Sequence, residues 1–451
     1  MRIEAPVVRF RDARLGRSYQ QLGDALERRF TGQISCLADS RSQQRRFSFF
    51  LHHPAVHLDQ LIWGVTQRGR YQVQLAGLDH VLVASDTTEA NLKATQGYRK
   101  DKKLGVTGNN ADPGFFLHPG LALCPYTGQP FGCVSLQVWT RQGSADVDYV
   151  ESQKWFNTAQ DVKQLARRVT VVNDREGDIF ALWVQLEQEE MFMVTRARQD
   201  RSLVEVVGRS GKLWRRLAEA DICGHFHLNL TADARERRSA RKTMFSLRHT
   251  PVTLKSSKYV RRGEEAPRAD LYAIEVHECP EFVPDGEAPV VWRLLTNHEV
   301  TTFEQALQIV QWYVYRWRIE ETFSAFKTRG VDVESTRLCD GEAVMKLGIM
   351  AYDSATRVTE LIKAREDKTT PATAFFGEAE LECMEAILPD LEGTTQKQKN
   401  PYPSRTAAWA VWIVARLGHW HGSGKPGLII ITRGLERFDG IFFGYNARKR
   451  T

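Results

Sequence analysis

Long apolar runs are missing from this chain. The longest, from Ala407 to Leu417, falls well short of the roughly 20 residues a membrane helix needs, so no membrane partner is expected. The opening MRIEAPVVRF offers no apolar signal core either, because Arg2, Glu4 and Arg9 interrupt it and no cleavage site follows. The expectation is a cytoplasmic protein. Cysteine is sparse: Cys36, Cys124, Cys133, Cys223, Cys279, Cys339 and Cys383 are odd in number, scattered, and contain no Cys-x-x-Cys pair. That excludes a disulfide framework and suggests reduced core residues. Internal repeats and long low-complexity tracts are also lacking. What is present, 42% hydrophobic and 10% aromatic content over 451 residues, can bury a full core in two or more domains and excludes a disordered or collagen-like chain.

Charge is unevenly spread. The net charge is +7, and the segment from Arg235 to Arg262 alone carries +9, with ten basic residues against Glu236, leaving the remainder at −2. A second cluster, ten arginines against five acids, occupies the first fifty residues. Two separate basic surfaces suit a nucleic acid better than a small anion, although a solvated charged face is the ordinary alternative for either. The first run is dense and poor in Asn and Gln, so Arg237, Arg238 and Lys242 are expected to follow a DNA backbone rather than read bases.

Along the chain, Tyr19, Leu22, Leu26 and Phe30 recur at helical spacing, and Phe47, Phe50 and Leu51 repeat the pattern after Ser40. Pro54 stands where a third helix could begin, so residues 1–65 read as a small helical module. From Tyr71 the texture becomes strand-like, with YQVQLAGL, HVLVASDTT, GLALCP and GCVSLQVWT, and RVTVVNDREGD follows a helix expected near 157–167. Strands followed by helices over 66–195 and 300–365 indicate an α/β core. The alternating strands of 196–299 read as a β-rich insertion splitting that core, and 366–451 as a C-terminal helical domain.

Asp86 ends the apolar run VLVAS and Asp174 ends VTVVN. Carboxylates at the C-terminal ends of α/β strands lie where such a sheet presents ligands, but either alone also fits a helix cap or turn. The most informative segment is YVYRWRIEETFSAFK. At about 100° per residue, Tyr313, Arg316, Glu320 and Lys327 share an arc of roughly 60°, beside an apolar stripe of Trp312, Ile319, Phe323 and Phe326. Helix geometry leaves a solvated Arg316–Glu320 ion pair open as well. Cys223, His225 and His227 alternate along one strand, yet no fourth ligand stands at a familiar zinc spacing.

The pattern Tyr-x2-Arg-x3-Glu-x6-Lys, met by Tyr313, Arg316, Glu320 and Lys327, resembles the signature of bacterial insertion-sequence cut-and-paste transposases. The Asp86-Thr87-Thr88 element, the Asp174–Asp178 run DREGD, and ESQKW from Glu151 to Trp155 resemble further motifs of that group. The resemblance implies a ribonuclease H-like α/β core interrupted by the β-rich insertion, with Asp86, Asp174 and Glu320 as an Asp-Asp-Glu triad holding two Mg²⁺ or Mn²⁺ ions. Hard cations of this kind take carboxylate oxygens. It also implies that Tyr313, Arg316, Lys327 and Arg196 hold DNA phosphates, and that Trp292 stacks on a flipped base during cleavage through a hairpin. A buried strand aromatic is the plainer account of Trp292. By the same resemblance, residues 1–65 recognise transposon ends and 366–451 form a homodimer. The rival readings are a metal-dependent nuclease without strand transfer and a non-catalytic DNA-binding regulator descended from a transposase.

Overall fold

A computed structural model describes residues 8–98, 104–141, 147–234, 236–256, 267–327 and 330–449. In chain order the helices and strands begin with α1 (Ala13–Arg29), α2 (Ile34–Leu37), α3 (Arg41–His52), α4 (Leu58–Ala76), β1 (His80–Ser85), β2 (Thr88–Asn91), β3 (Gly114–Leu123) and β4 (Pro130–Trp139). They continue with α5 (Val147–Val162), β5 (Arg168–Asn173), α6 (Phe180–Gln188), β6 (Phe192–Arg196), α7 (Leu213–Ala218), β7 (Ile222–Leu230), β8 (Arg241–Lys255), β9 (Arg268–Glu278) and β10 (Val291–Thr296). The remainder is helical: α8 (Phe303–Tyr315), α9 (Trp317–Phe326), α10 (Gly341–Lys363), α11 (Glu378–Leu391), α12 (Ala407–Leu417) and α13 (Leu428–Lys449). The protein is mixed α/β and divides into two compact units.

One unit comprises residues 79–86 and 152–317. Its strands run in the order β1-β5-β6-β10-β9-β8-β7. β1, β5 and β6 are parallel, as their near-continuous apolar burial would require. β10 then pairs antiparallel with β6, and β9, β8 and β7 follow antiparallel. The segment read from sequence as an insertion therefore extends the same sheet. α8 packs along β5, β6 and β8, and its start is set by Thr302, whose hydroxyl accepts from the Gln305 N–H at 3.3 Å.

The other unit comprises residues 1–78, 87–151 and 318–451. Here β2, β3 and β4 form an antiparallel meander. α4 and α10 pack against β4, and a side chain at Gly69 would collide with the Cys133 carbonyl, its Cβ falling 2.2 Å from that oxygen. The N-terminal helices are no detachable module. Leu22, Leu26, Phe47 and Phe50 are fully buried, α1 and α3 pack on α10, and α1 also meets α13. A half-buried ion-pair cluster reinforces this packing: Arg68 of α4 bridges Glu27 of α1 at 2.9 Å and Asp353 of α10. The apolar run 407–417 is the core helix α12, with Trp409 and Trp412 buried.

Four local expectations are corrected. YQVQLAGL is not a strand: α4 continues to Ala76 and stops at Gly77, whose φ of 60° is the left-handed cap that glycine favours. α4 starts at Leu58 rather than at Pro54, with the His57 N–H donating to the Gln60 side chain at 3.0 Å. The helix expected near 157–167 is α5, which begins at Val147 and ends at Val162. All seven cysteines are free, but Cys36 and Cys223 are exposed rather than core residues. Among the described residues no helix is long and apolar enough to cross a membrane.

Candidate active site

The site is built at the C-terminal ends of β1 and β5. These strands pair in parallel with Ser85 opposite Asn173, so Asp86 and Asp174 leave the sheet side by side, where neighbouring strands stand about 4.8 Å apart. The buried Ser85 hydroxyl donates to the Asn173 side-chain oxygen at 2.8 Å, tying the two strand ends together immediately before the acids. Asp174 also caps the short 3-10 turn that follows it, accepting from the Glu176 N–H at 2.8 Å. The cap reading is thus true of Asp174, and it does not exclude a second role for a carboxylate that has another oxygen to offer.

Cationic side chains gather around this pair. Arg316, at the end of α8, donates to Asp86 Oδ2 at 3.0 Å. Both side chains are largely buried, 7% and 13% exposed. The guanidinium lies near the rings of Tyr313 and Trp317, 5.6 and 5.9 Å from their centroids. Lys154 of α5 stands 3.4 Å from Glu176 and is almost wholly buried. Burial pushes its ammonium below the usual lysine range, while Glu176, Asp86 and Asp174 pull in the opposite direction. Arg196, at the end of β6, donates to the Val291 carbonyl at 3.2 Å. Its pKa is lowered by burial first, against the opposing influence of Tyr313, and then by the like charges of Arg175 and Arg316. Trp292 of β10 is half-buried, packed between Phe245 at 6.1 Å and Tyr313 at 5.7 Å. It is neither a sealed core residue nor a free platform.

Glu320 and Lys327 belong to the other compact unit. Glu320 sits in the first turn of α9 and is half-buried, and Lys327 follows that helix. The segment from Tyr313 to Lys327 is divided at Arg316 between α8, which ends at Tyr315, and α9, which starts at Trp317, although Arg316 itself keeps helical φ and ψ of −50° and −31°. The beginning of the segment is not a solvated face, since Tyr313 and Arg316 are buried. Among the described residues no group of three or more His, Cys, Asp or Glu side chains is assembled to hold a metal ion. Cys223 of the suspected zinc trio instead lies 3.3 Å from the Leu247 carbonyl. In the first unit the expected acidic triad is therefore represented by its two aspartates.

The basic run maps to the β7–β8 hairpin. Arg237, with φ of 51°, and Lys242 are exposed. Arg238 lies 3.9 Å from Asp233, and Arg241 is clamped by Glu278 at 2.7 Å and Glu287 at 2.5 Å. Fewer of these charges are free than their number in the sequence suggests. Arg235, Lys258, Arg261 and Arg262 lie outside the described residues.

Sequence reasoning missed Asp178 and Arg201. Arg201 Nε donates to Asp178 Oδ1 at 2.7 Å, Asp178 Oδ2 accepts the Arg198 N–H at 2.6 Å, and both side chains are buried. This pair staples the turn carrying Asp174 to the chain leaving β6 with Arg196. The final acid of DREGD was the available signal. Lys154 was visible only as part of ESQKW. No protein-family model matches the chain.

Proposed function

We propose that the chain is a DNA transposase of the Asp-Asp-Glu type, which binds the terminal inverted repeats of an insertion sequence, cleaves both strands and joins the 3′ ends to target DNA. The observation that carries this reading is the placement of Asp86 and Asp174 at the paired ends of β1 and β5, bordered by Lys154, Arg175, Arg196 and Arg316. Adjacent carboxylates suit a hard divalent cation, and surrounding guanidiniums suit the phosphates of a polyanion. A nuclease or an anion-binding regulator would draw on the same groups, and the resemblance of the tyrosine signature and both aspartate motifs supports the transposase reading over them.

In this reading Asp86 and Asp174, with Glu320 as the third acid that the resemblance implies, would hold two Mg²⁺ or Mn²⁺ ions, and these would supply charge stabilisation for attacking and leaving oxygens at phosphorus. Arg316 and Arg196 orient the scissile strand by hydrogen bonds to its phosphates, with the Val291 carbonyl holding the Arg196 guanidinium. Lys154 balances the charge of the acidic pair. Trp292 offers one ring face to a base displaced at a hairpin. The exposed Arg237 and Lys242 track the flanking duplex, residues 1–65 contribute recognition of the ends, and the C-terminal helices of 366–451 support a homodimer acting in the bacterial cytoplasm.

The test is incubation of the purified protein with a supercoiled plasmid carrying the DNA that flanks its gene. Nicked and then linear products in Mg²⁺, absent with a chelator, are expected. Binding of that DNA with no cleavage in Mg²⁺ or Mn²⁺ would favour the non-catalytic regulator, and cleavage without joined products the nuclease.

A further inference from the structure

The pairing of Arg316 with Asp86 has a cost for any metal-dependent reaction. A guanidinium 3.0 Å from Asp86 Oδ2 offsets the charge that would attract a divalent cation to this carboxylate, and the two cations held on it together repel each other. The arginine is not a loose surface side chain that drifts aside. Its backbone N–H is bonded to the carbonyls of Trp312 at 3.3 Å and Tyr313 at 3.2 Å, which fixes the helix end that carries it, and its guanidinium, on a side chain only 7% exposed, lies near the Tyr313 and Trp317 rings. Trp312, one turn earlier, is wedged against His80 and His298, with ring centroids 5.0 and 4.9 Å away. In so dry a setting the ion pair is strong, because neither partner recovers hydration without moving.

The same guanidinium stands in a crowd of like charge. Arg175 and Arg316 both disfavour the charged form of Arg196. A phosphodiester entering among these three would relieve that repulsion and supply a second acceptor for Arg316. We propose that Arg316 is a latch on Asp86: it weakens the carboxylate's hold on divalent cations until a DNA phosphate draws the guanidinium off, so that DNA binding and metal binding reinforce each other. The proposal rests on the metal-dependent reading above. Linkage makes the coupling reciprocal, with each ligand raising the affinity for the other by one common factor.

The experiment is titration of the full-length protein with Mn²⁺, followed by the electron paramagnetic resonance of the free ion, with and without a duplex oligonucleotide. The proteins are wild type, Arg316→Gln, Arg316→Lys and Asp86→Asn, each checked by thermal melting. Without DNA, Arg316→Gln should bind Mn²⁺ about tenfold more tightly than wild type, within the usual range of coupling between sites. Arg316→Lys, which keeps the charge but not the fork, should fall between them, and it decides the question if the glutamine variant does not fold. DNA should tighten Mn²⁺ binding in wild type and have little effect in Arg316→Gln. Mn²⁺ affinity unchanged or weaker in both Arg316 variants, with binding lost in Asp86→Asn, would overturn the latch and leave the metal site standing. Unaltered binding in Asp86→Asn would overturn the metal site and the latch with it.

Discussion

Ser85 and Asn173 are joined by a buried 2.8 Å hydrogen bond across two parallel strands, one residue before Asp86 on one strand and Asp174 on the other. That bond brings together two acids 88 positions apart in the chain and sets their spacing before any ligand arrives. Ser85→Ala should leave the fold intact and remove about 1 kcal/mol, with the Asn173 oxygen left unsatisfied. Urea denaturation measures it, and no change in stability would mean that the bond does not tie the strand ends.

The Asp178–Arg201 pair tests how the turn after β5 is held. Asp178→Ala leaves a buried guanidinium without its carboxylate, and loss of one partner of such a pair costs about 3 to 5 kcal/mol. A denaturation midpoint like that of wild type would show that Arg201 finds another partner.

His80 and His298 respond to pH. The Thr170 hydroxyl oxygen lies 2.8 Å from His80 Nε2 and 2.9 Å from His298 Nε2. Burial, followed by the charge of Arg168, lowers the His80 pKa from 6.5 to about 4. Burial, then His80 and Arg168, lowers that of His298 to about 3. Both are neutral in the folded protein, while the unfolded chain takes up protons below 6.5, so their contribution is complete above 6.5 and is lost as pH falls toward 4 and 3. Stability of wild type relative to His298→Phe should therefore decline between pH 7 and pH 5. A difference independent of pH would contradict this.

The hairpin charges separate into two kinds. Arg237→Ala with Lys242→Ala should weaken binding to matched and unmatched duplexes alike and reduce the salt dependence by about two phosphate contacts. Arg241→Ala should instead lower stability. Burial alone would raise the pKa of Glu278, and the hydrogen bond from Arg241 holds it below the usual range. If Arg241→Ala reduced DNA affinity as much with no change in melting, the assignment of these roles would be reversed.

What could be read from the sequence was local. Asp86 and Asp174 stood out because each ends an apolar run, and Ser40 marked the start of α3, where its hydroxyl accepts from the Gln43 N–H at 3.2 Å. YQVQLAGL misled because aromatic and β-branched residues alternate with polar ones, whereas in α4 only Val73 of that stretch is buried and Leu75 is exposed. The Arg316–Asp86 pair spans 230 positions, and no periodicity reports a contact of that separation. Helix periodicity also could not reveal the break at Arg316, a residue that keeps helical φ and ψ of −50° and −31°.

Trp292 separates the steps of cleavage. Trp292→Ala should slow second-strand processing more than first nicking, so that nicked plasmid accumulates, and Trp292→Phe should restore much of the loss. A stacked base is worth roughly 1 to 3 kcal/mol. Equal slowing of both steps with a lowered melting temperature would make Trp292 a packing residue, held by Phe245 and Tyr313.

The central claim, that three carboxylates serve one metal-dependent cleavage, is tested most directly at Glu320, the acid that lies in the other compact unit. Glu320→Gln keeps size and hydrogen bonding but removes the charge that binds a hard cation. The measurement is cleavage of a supercoiled plasmid carrying the flanking DNA, run beside a gel shift on the same ends. The account predicts that Glu320→Gln binds the ends normally yet neither nicks nor joins in Mg²⁺, as do Asp86→Asn and Asp174→Asn. Near-normal cleavage by Glu320→Gln would contradict it.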